Sequence, residues 1–315
     1  MSPDLNAAPE SRLDVQASAL AAMSETRPMY WSVRRELWEN RSIYIAPLAV
    51  AGVVLLGFLV SLLGLPHIMR NMSAHHPPGS VGDLVMPYGH VTWLIILTGF
   101  AVSFFYSLDA LHGERRDRSI LFWKSLPVSD LTTVLSKASI PLVILPLFVF
   151  VLLLTLHLIM LLLSIAVLLF TGGNVAAMWA GLPYFQMEVG VLYVLIVMAL
   201  WHAPLYGWLL LVSGWARRAT FLWVVFPPAA ISIFEWIAFR TTHFGHLLGY
   251  RLYGFVAAAF ALKMPDGTSV DPHFVPLTQC TPGKFLISPG LWVGLIFAAA
   301  FLSVVLRMRR YREPI

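Results

Sequence analysis

Six apolar windows, each about as long as a membrane crossing requires, dominate this chain. They cover residues 43–65, 91–111, 140–170, 187–212, 221–239 and 289–306. A hydrocarbon core about 30 Å thick takes roughly 20 apolar residues in an α-helix, and a helix satisfies its own backbone hydrogen-bonding groups in lipid. With 58% hydrophobic and 12% charged residues, the chain carries too few charges to keep such windows in water. We therefore expect an all-α integral membrane protein with six transmembrane helices.

The distribution of Lys and Arg predicts how these helices are oriented. Five of the 21 basic residues lie on one side of the predicted bundle: Arg70, Arg240, Arg251, Lys263 and Lys284. The remaining basic residues share the other side with both termini. Because cytoplasmic loops carry the excess of Lys and Arg, we predict a multi-pass protein of a bacterial-type plasma (inner) membrane with both termini cytoplasmic. The net charge of +5 then reflects topology, and we expect no nucleic acid partner.

The segment before the first window divides into two parts. Residues 1–26 are polar and alanine-rich, which predicts a disordered cytoplasmic tail. Residues 27–41 predict an amphipathic interfacial helix, because apolar side chains recur there at steps of three and four residues: Met29, Tyr30, Val33, Leu37 and Trp38. The alternative is a simple extension of the first transmembrane helix. Residues 42–315 would then form the six-span domain.

The connection between windows two and three, residues 112–130, mixes charged and apolar side chains. Its charged start, residues 114–118, is followed by Ile120, Leu121, Phe122, Trp123 and Leu126. These apolar residues are too many for a solvated loop and too few for a membrane span. Pro127 is expected to end the helix. The pattern favours a short helix that fits a groove, either in its own bundle or in a soluble partner.

This connection resembles the inner-loop signature of ABC-2 type permeases, the membrane subunits of export-class ATP-binding cassette (ABC) transporters. The matching positions are Glu114-Arg115, Ser119-Ile120-Leu121, Leu126-Pro127-Val128-Ser129 and Ser136-Lys137. The chain departs from the family pattern at Asp117-Arg118-Ser119-Ile120 and at Phe122-Trp123, which leaves the subfamily and the substrate open.

The resemblance implies a half-transporter in which two permeases, either identical copies or sister chains, dock two separate ABC ATPase subunits. ATP and Mg²⁺ would bind to the ATPase subunit, with no cofactor on this chain. Residues 112–130 would form the coupling helix of the family. Its ATPase-coupling residues would be Glu114, Arg115, Arg116, Arg118, Ile120, Phe122, Trp123, Leu126 and Pro127.

The chain carries no recognised catalytic motif of its own. A Gly-x-x-x-x-Gly-Lys-Ser/Thr phosphate loop, a His-Glu-x-x-His metal motif and a Gly-x-Ser-x-Gly nucleophile motif are all missing from the sequence. We therefore expect a transport subunit that is not itself an enzyme and binds no metal. The apolar interior favours export of a hydrophobic or amphipathic substrate such as a lipid, a peptide or a drug.

Five Asp, Glu or His residues lie within the windows: Asp109, next to the inner charged connection, and His157, His202, Glu188 and Glu235. Such groups are costly in hydrocarbon and normally face a cavity or a partner. We expect His157 and His202 to line a translocation route, to pair with each other or to hydrogen-bond neighbouring helices. Glu188 and Glu235 lie near outer helix ends, where water can reach them, and are candidates for a cation contact or a gate. These residues keep two alternatives open: a membrane-embedded enzyme and an ion-coupled secondary carrier.

Two segments depart from a simple bundle of six helices. Window three, residues 140–170, would be about 45 Å long as one helix, so it must tilt, break or protrude, and Pro141 and Pro146 predict a kink near its start. Residues 240–288 precede window six and contain Arg251 in an apolar stretch. We predict an outer re-entrant or interfacial region there, since a seventh span would place the C-terminal arginines outside.

Overall fold

The computed structural model describes residues 28–64, 82–116, 129–261 and 277–311. The regular elements in these ranges are helices, and one β-bridge joins Phe260 to Cys280. Six helical segments are long and apolar enough to cross a membrane, and we number them spans 1 to 6: Ser42–Gly64, Val85–Arg116, Asp130–Thr171, Met178–Trp201, Thr220–Phe239 and Pro289–Arg310. The prediction of an all-α membrane protein with six spans is confirmed.

Thirteen α-helices make up the described part of the chain. They are α1 (Pro28–Glu39), α2 (Ser42–Ser61), α3 (Gly82–Asp109), α4 (His112–Arg116), α5 (Asp130–Ser139), α6 (Leu145–Thr171), α7 (Val175–Gly181), α8 (Tyr184–Trp201), α9 (Ala203–Trp215), α10 (Thr220–Phe239), α11 (His243–Ala259), α12 (Pro282–Ile287) and α13 (Pro289–Tyr311). Short 3₁₀ turns cover Leu62–Gly64 and Leu277–Gln279, and a π-helical turn, Ile140–Ile144, joins α5 to α6.

Span 3 is a 42-residue helical segment with the π turn inside it. It begins at Asp130, where the Ser129 hydroxyl accepts a hydrogen bond from the backbone N–H of Thr132 at 3.1 Å. Pro141 lies within the π turn, and Pro146 is the second residue after its end. A proline lacks the N–H of the regular ladder and its ring crowds the carbonyl of the preceding turn. The two prolines therefore coincide with the change of helix type, as expected of sites that disturb a helix.

The predicted window 187–212 is not one uninterrupted helix, which corrects the sequence prediction. Helix α8 ends at Trp201 and α9 begins at Ala203, with His202 between them. Pro204 has no N–H to donate to the carbonyl four residues earlier, so the hydrogen-bond ladder is incomplete at this point. The fourth crossing therefore continues toward residue 215 as a second helical piece.

The spans differ widely in how deeply they are packed. Half of the apolar window in span 4 is buried, against 6% in span 5. Helix α9 lies directly against span 6, where a methyl group added to Gly207 would be 3.3 Å from Cβ of Phe301 and 3.4 Å from the backbone of Ala298. Small residues permit such close helix contacts in membranes. Span 4 thus belongs to the core and span 6 contacts its continuation α9, while span 5 lies at the periphery with its large apolar side chains exposed.

The region between spans 5 and 6 turns back on itself. After α11, the N–H of Ala261 donates to the carbonyl of Gln279, and the N–H of Thr281 donates to the carbonyl of Ala259, each at 2.9 Å. The chain on either side of residues 262–276 therefore runs side by side before span 6 begins. The re-entrant or interfacial position of residues 240–288 in the membrane stays a prediction.

Helix α1 has one packed face and one exposed face. Val33 and Leu37 pack against the hydrophobic core, whereas Tyr30, Trp31 and Trp38 are exposed. Between the two indoles lies Arg34, whose guanidinium carbon is 5.2 Å from the Trp31 ring and 4.7 Å from the Trp38 ring. The location of this helix at a membrane interface stays a prediction.

Candidate functional site

Buried charged side chains meet at one end of the bundle, which we call the charged end. The cluster draws on α1, α4, α5 and span 6, and its members are Arg35, Glu36, Glu114, Asp130, Lys137 and Arg309. Glu36 is completely buried, and Lys137 is 2% exposed. Charged residues are almost never buried to this extent unless they are paired.

Lys137 connects two carboxylates that come from distant parts of the chain. Its Nζ lies 2.9 Å from Oε1 of Glu36 and 3.2 Å from Oε1 of Glu114. The second oxygen of Glu36 accepts a hydrogen bond from the Tyr106 hydroxyl at 2.9 Å. Nη2 of Arg35 lies 2.7 Å from Glu36 and 2.8 Å from Glu114. Helices α1, α3, α4 and α5 are therefore joined through two glutamates.

Arg309 adds span 6 to the same cluster. Its Nη1 lies 3.0 Å from Oε2 of Glu114, and its Nε lies 3.0 Å from Oδ1 of Asp130. Glu114 precedes residues 117–128 and Asp130 follows them, so one arginine holds both flanks of that segment. Buried ion pairs add little net stability over apolar packing, but removal of one partner costs about 3–5 kcal/mol. The cluster therefore fixes the relative positions of its helices.

Helix α4 is also attached to the end of α9. The Ser213 hydroxyl accepts hydrogen bonds from two consecutive backbone N–H groups at the start of α4, at 3.0 and 2.9 Å. Nη1 of Arg115 donates to the carbonyls of Gly214 and Ala216. Glu114 and Arg115 are adjacent in the chain but bind different neighbours. Through them α4 is joined to both the charged cluster and the piece of chain that continues span 4.

Arg35 is held in its charged form by the neighbouring carboxylates. Burial lowers the pKa of Arg35, but the carboxylates of Glu36, Glu114 and Glu39 more than offset this effect, so that the pKa is raised from its ordinary value. Burial raises the pKa of Glu39, and the attraction of Arg35 offsets only part of that rise. Since Arg35 stays protonated at any physiological pH, the network keeps this positive charge.

The predicted coupling residues are only partly described by the structure. Glu114 and Arg115 make the contacts given above, and Arg116 is exposed at the end of α4. The other six lie outside the described residues: Arg118, Ile120, Phe122, Trp123, Leu126 and Pro127.

His157 and Glu188 form a buried pair far from the charged end. Nδ1 of His157 lies 2.7 Å from Oε1 of Glu188, and Nε2 lies 3.2 Å from the Thr92 hydroxyl. His157 is completely buried and Glu188 is 5% exposed. The expectation that water reaches Glu188 is therefore wrong, because its side chain is directed at span 3 and away from the surface of the bundle.

His202 occupies the break between α8 and α9. Its Nδ1 lies 2.9 Å from the Met198 carbonyl, and its Nε2 lies 3.3 Å from the Leu252 carbonyl of α11. Among the hydrogen bonds between described residues, His157 and His202 therefore have separate partners. The sequence left three roles open for these histidines: lining a route, pairing with each other, or hydrogen-bonding neighbouring helices. The structure shows the hydrogen bonds to neighbouring helices. A role of either histidine along a translocation route stays a prediction.

Glu235 caps the start of α11. Its carboxylate accepts hydrogen bonds from the Thr241 hydroxyl and from the backbone N–H groups of His243 and Phe244, each at 2.8 Å. An acidic group at a helix N-terminus satisfies free N–H groups there and is stabilised by the helix dipole. A gating role of Glu235 stays a prediction.

Sequence reasoning did not assign Arg35, Glu36 and Arg309 to the site. A usable signal exists for Glu36, which lies one residue before Leu37 and three after Val33 on the packed face of α1. A charged residue on an otherwise apolar helix face must find a buried partner. The sequence does not identify that partner, because Lys137 is about a hundred positions away.

Comparisons with known proteins give no family for the chain. No family model matches it, and neither the curated proteins nor the solved structures contain a match. The resemblance to ABC-2 type permeases therefore depends on the sequence pattern at residues 114–137 alone.

Proposed function

We propose that this chain is the permease subunit of an ABC-type exporter, which moves a hydrophobic or amphipathic substrate with ATP hydrolysed by a separate subunit. The observation that carries the proposal is the charged cluster around Glu114 and Lys137. These residues begin and end the sequence pattern that resembles the family, and they lie 3.2 Å apart. Arg309 supports the proposal further, because it holds both flanks of residues 117–128.

The cluster provides a route for motion from a soluble partner into the bundle. A push on residues 117–128 would reach α1, span 3 and span 6 through Glu114 and Asp130. It would reach the continuation of span 4 through Arg115. Since these pairs are buried and costly to break one at a time, the attached helices would move together. ATP and Mg²⁺ would act on the partner subunit, and a second permease copy or a sister permease would complete the pathway.

Purification of the tagged chain from the organism that encodes it tests the proposal. We expect an ABC ATPase subunit to co-purify, identified by mass spectrometry, together with vanadate-sensitive ATP hydrolysis in nanodiscs. The double variant Arg116→Glu, Trp123→Ala should reduce the recovered ATPase subunit about tenfold or more, because Trp and Arg at the centre of an interface each contribute about 2 kcal/mol or more and Arg116 is exposed.

Arg217→Glu serves as the matched control, since Arg217 is exposed near the same end of the bundle. The control should retain the ATPase subunit at the wild-type level. Recovery of the chain without any ATPase subunit, under conditions that preserve other membrane complexes of the same cells, contradicts the proposal. A chemical activity of the isolated chain that requires His157 and Glu188 would instead support the membrane-embedded enzyme.

A further inference from the structure

The His157–Glu188 pair lies a full membrane thickness away from the charged end. His157 is twenty residues beyond Lys137 in the same span, which is about 30 Å at 1.5 Å per residue and matches the thickness of a hydrocarbon core. The pair joins three spans, because Thr92 belongs to span 2, His157 to span 3 and Glu188 to span 4. The Tyr88 ring, which also contacts Phe58 of span 1, lies edge-on to the His157 ring at 5.6 Å.

The hydrogen-bond geometry indicates how many protons the pair holds. The Thr92 hydroxyl lies 2.8 Å from the Tyr88 carbonyl, and only Thr92 can supply the hydrogen for that bond. The same oxygen lies 3.2 Å from Nε2 of His157, so that hydrogen must come from the ring. Nδ1 lies 2.7 Å from a carboxyl oxygen of Glu188, so a second proton lies between these two atoms, on the ring nitrogen or on the carboxyl oxygen. The pair therefore holds one proton more than a neutral ring beside an ionised carboxylate.

The surroundings favour retention of that proton. Oε2 of Glu188 has no hydrogen-bond partner in the part of the chain that the structure describes, and the ion pair given for Glu188 is with His157. A carboxylate buried without a compensating cation would be strongly disfavoured. The titratable groups packed nearby are the hydroxyls of Tyr88 and Tyr184, and the Tyr184 hydroxyl donates to the Leu154 carbonyl.

We infer that His157, Glu188 and Thr92 form a proton-binding site, which holds one proton between the His157 ring and the Glu188 carboxyl group and joins spans 2, 3 and 4 on the side away from the charged end. The ligand of this site is the proton itself. Loss of the proton would leave a net negative charge among apolar side chains and would remove the donor to span 2. The site is therefore a latch between spans 2, 3 and 4 whose strength depends on one bound proton.

Solid-state ¹⁵N NMR of the histidine rings in lipid nanodiscs tests this inference, and it requires no partner subunit. The His157 signal is identified by its dipolar coupling to the side-chain carboxyl carbon of a glutamate. A free histidine has a pKa of about 6.5 and is almost entirely neutral at pH 8. At pH 8 we expect the pair to retain this proton, seen either as two protonated ring nitrogens of His157 or as one protonated nitrogen together with the ¹³C shift of a protonated Glu188 carboxyl group. A neutral ring beside an ionised Glu188 carboxylate at that pH overturns the inference, whatever the outcome of the ATPase experiment.

Two variants make the test specific. Glu188→Gln should give a neutral His157 ring at pH 8, because the amide offers neither a compensating charge nor a carboxyl group to share the proton. The control Glu235→Gln removes a carboxylate that caps α11 instead and should leave the His157 spectrum unchanged. An imidazolium that persists in Glu188→Gln contradicts the pairing. If this variant does not fold, the wild-type spectrum decides alone.

Discussion

At the scale of single residues, Glu36 and Glu39 show how position on one helix decides the role of a side chain. Both belong to α1 and are three residues apart. Glu36 is completely buried against Lys137 and Tyr106, whereas the side chain of Glu39 is 45% exposed and lies 3.7 Å from Arg35. An exposed ion pair is worth about 0–1 kcal/mol, while a buried charge that loses its partner is far more costly.

We expect Glu36→Gln to destabilise the bundle and Glu39→Gln to leave it nearly unchanged. The first substitution leaves the buried Lys137 ammonium with one carboxylate and should lower the free energy of unfolding by about 3–5 kcal/mol. The second should change it by less than about 1 kcal/mol. Unfolding in mixed micelles, followed by near-UV circular dichroism, measures both values. Equal losses of unfolding free energy in the two variants would show that the buried cluster contributes no more to stability than the exposed ion pair of Glu39.

At the scale of elements, the π turn of span 3 separates two parts of one long helix. On the N-terminal side of the turn, Lys137 belongs to the charged cluster, and on its C-terminal side α6 extends to His157 and further. A small, mainly apolar cavity lies beside the turn, between spans 2, 3 and 4, and its lining includes Gly99, Pro141 and Met198. The irregular turn therefore interrupts the regular α-helical hydrogen-bond ladder between Lys137 and His157.

Replacement of Pro141 by alanine should regularise this turn. Alanine restores a backbone N–H, and one added hydrogen bond contributes about 0.5–1.5 kcal/mol, so amide exchange over residues 140–146 should slow roughly twofold to tenfold. Hydrogen–deuterium exchange with mass spectrometry on the reconstituted chain gives the rates. Pro47→Ala is the control, because Pro47 lies inside the continuous α2, and it should leave residues 140–146 unaffected. Unchanged exchange in Pro141→Ala would mean that Pro141 does not cause the turn.

At the scale of the whole molecule, the two ends of the bundle differ in chemistry. One end holds the charged cluster and the exposed Arg217 and Arg218, and the other holds the buried His157–Glu188 pair. The excess of Lys and Arg predicts that the charged end faces the cytoplasm. Both termini would then lie on that side, as the sequence prediction has it.

Labelling of single cysteines in intact cells tests this orientation. In a Cys280→Ser background, Asn174→Cys lies in the connection after span 3 and Arg218→Cys lies at the charged end, both at exposed positions. A membrane-impermeant thiol reagent should label Asn174→Cys in whole cells and Arg218→Cys only in inverted vesicles. The reverse pattern would place the charged cluster outside and remove the basis for a cytoplasmic ATPase partner.

Much of the architecture is readable from local patterns, and the exceptions have local causes. The window 43–65 differs from the observed span 1, Ser42–Gly64, by one residue at each end, because apolar length alone defines it. The window 187–212 was wrong as one helix, since a hydropathy window does not register the hydrogen bond that Pro204 lacks. The prediction that water reaches Glu188 is wrong, because the sequence gives the distance of this residue from the helix end but not the direction of its side chain.

The amino-acid sequence alone is enough to predict a helical membrane protein of six spans, because the length and apolarity of a segment decide whether it can reside in lipid. Which buried charges meet is visible only in the folded molecule. Lys137 with Glu36, Arg309 with Glu114 and His157 with Glu188 are pairings between separate helices. Their choice depends on how helices rotate and pack against one another, and that information is not contained in any single segment.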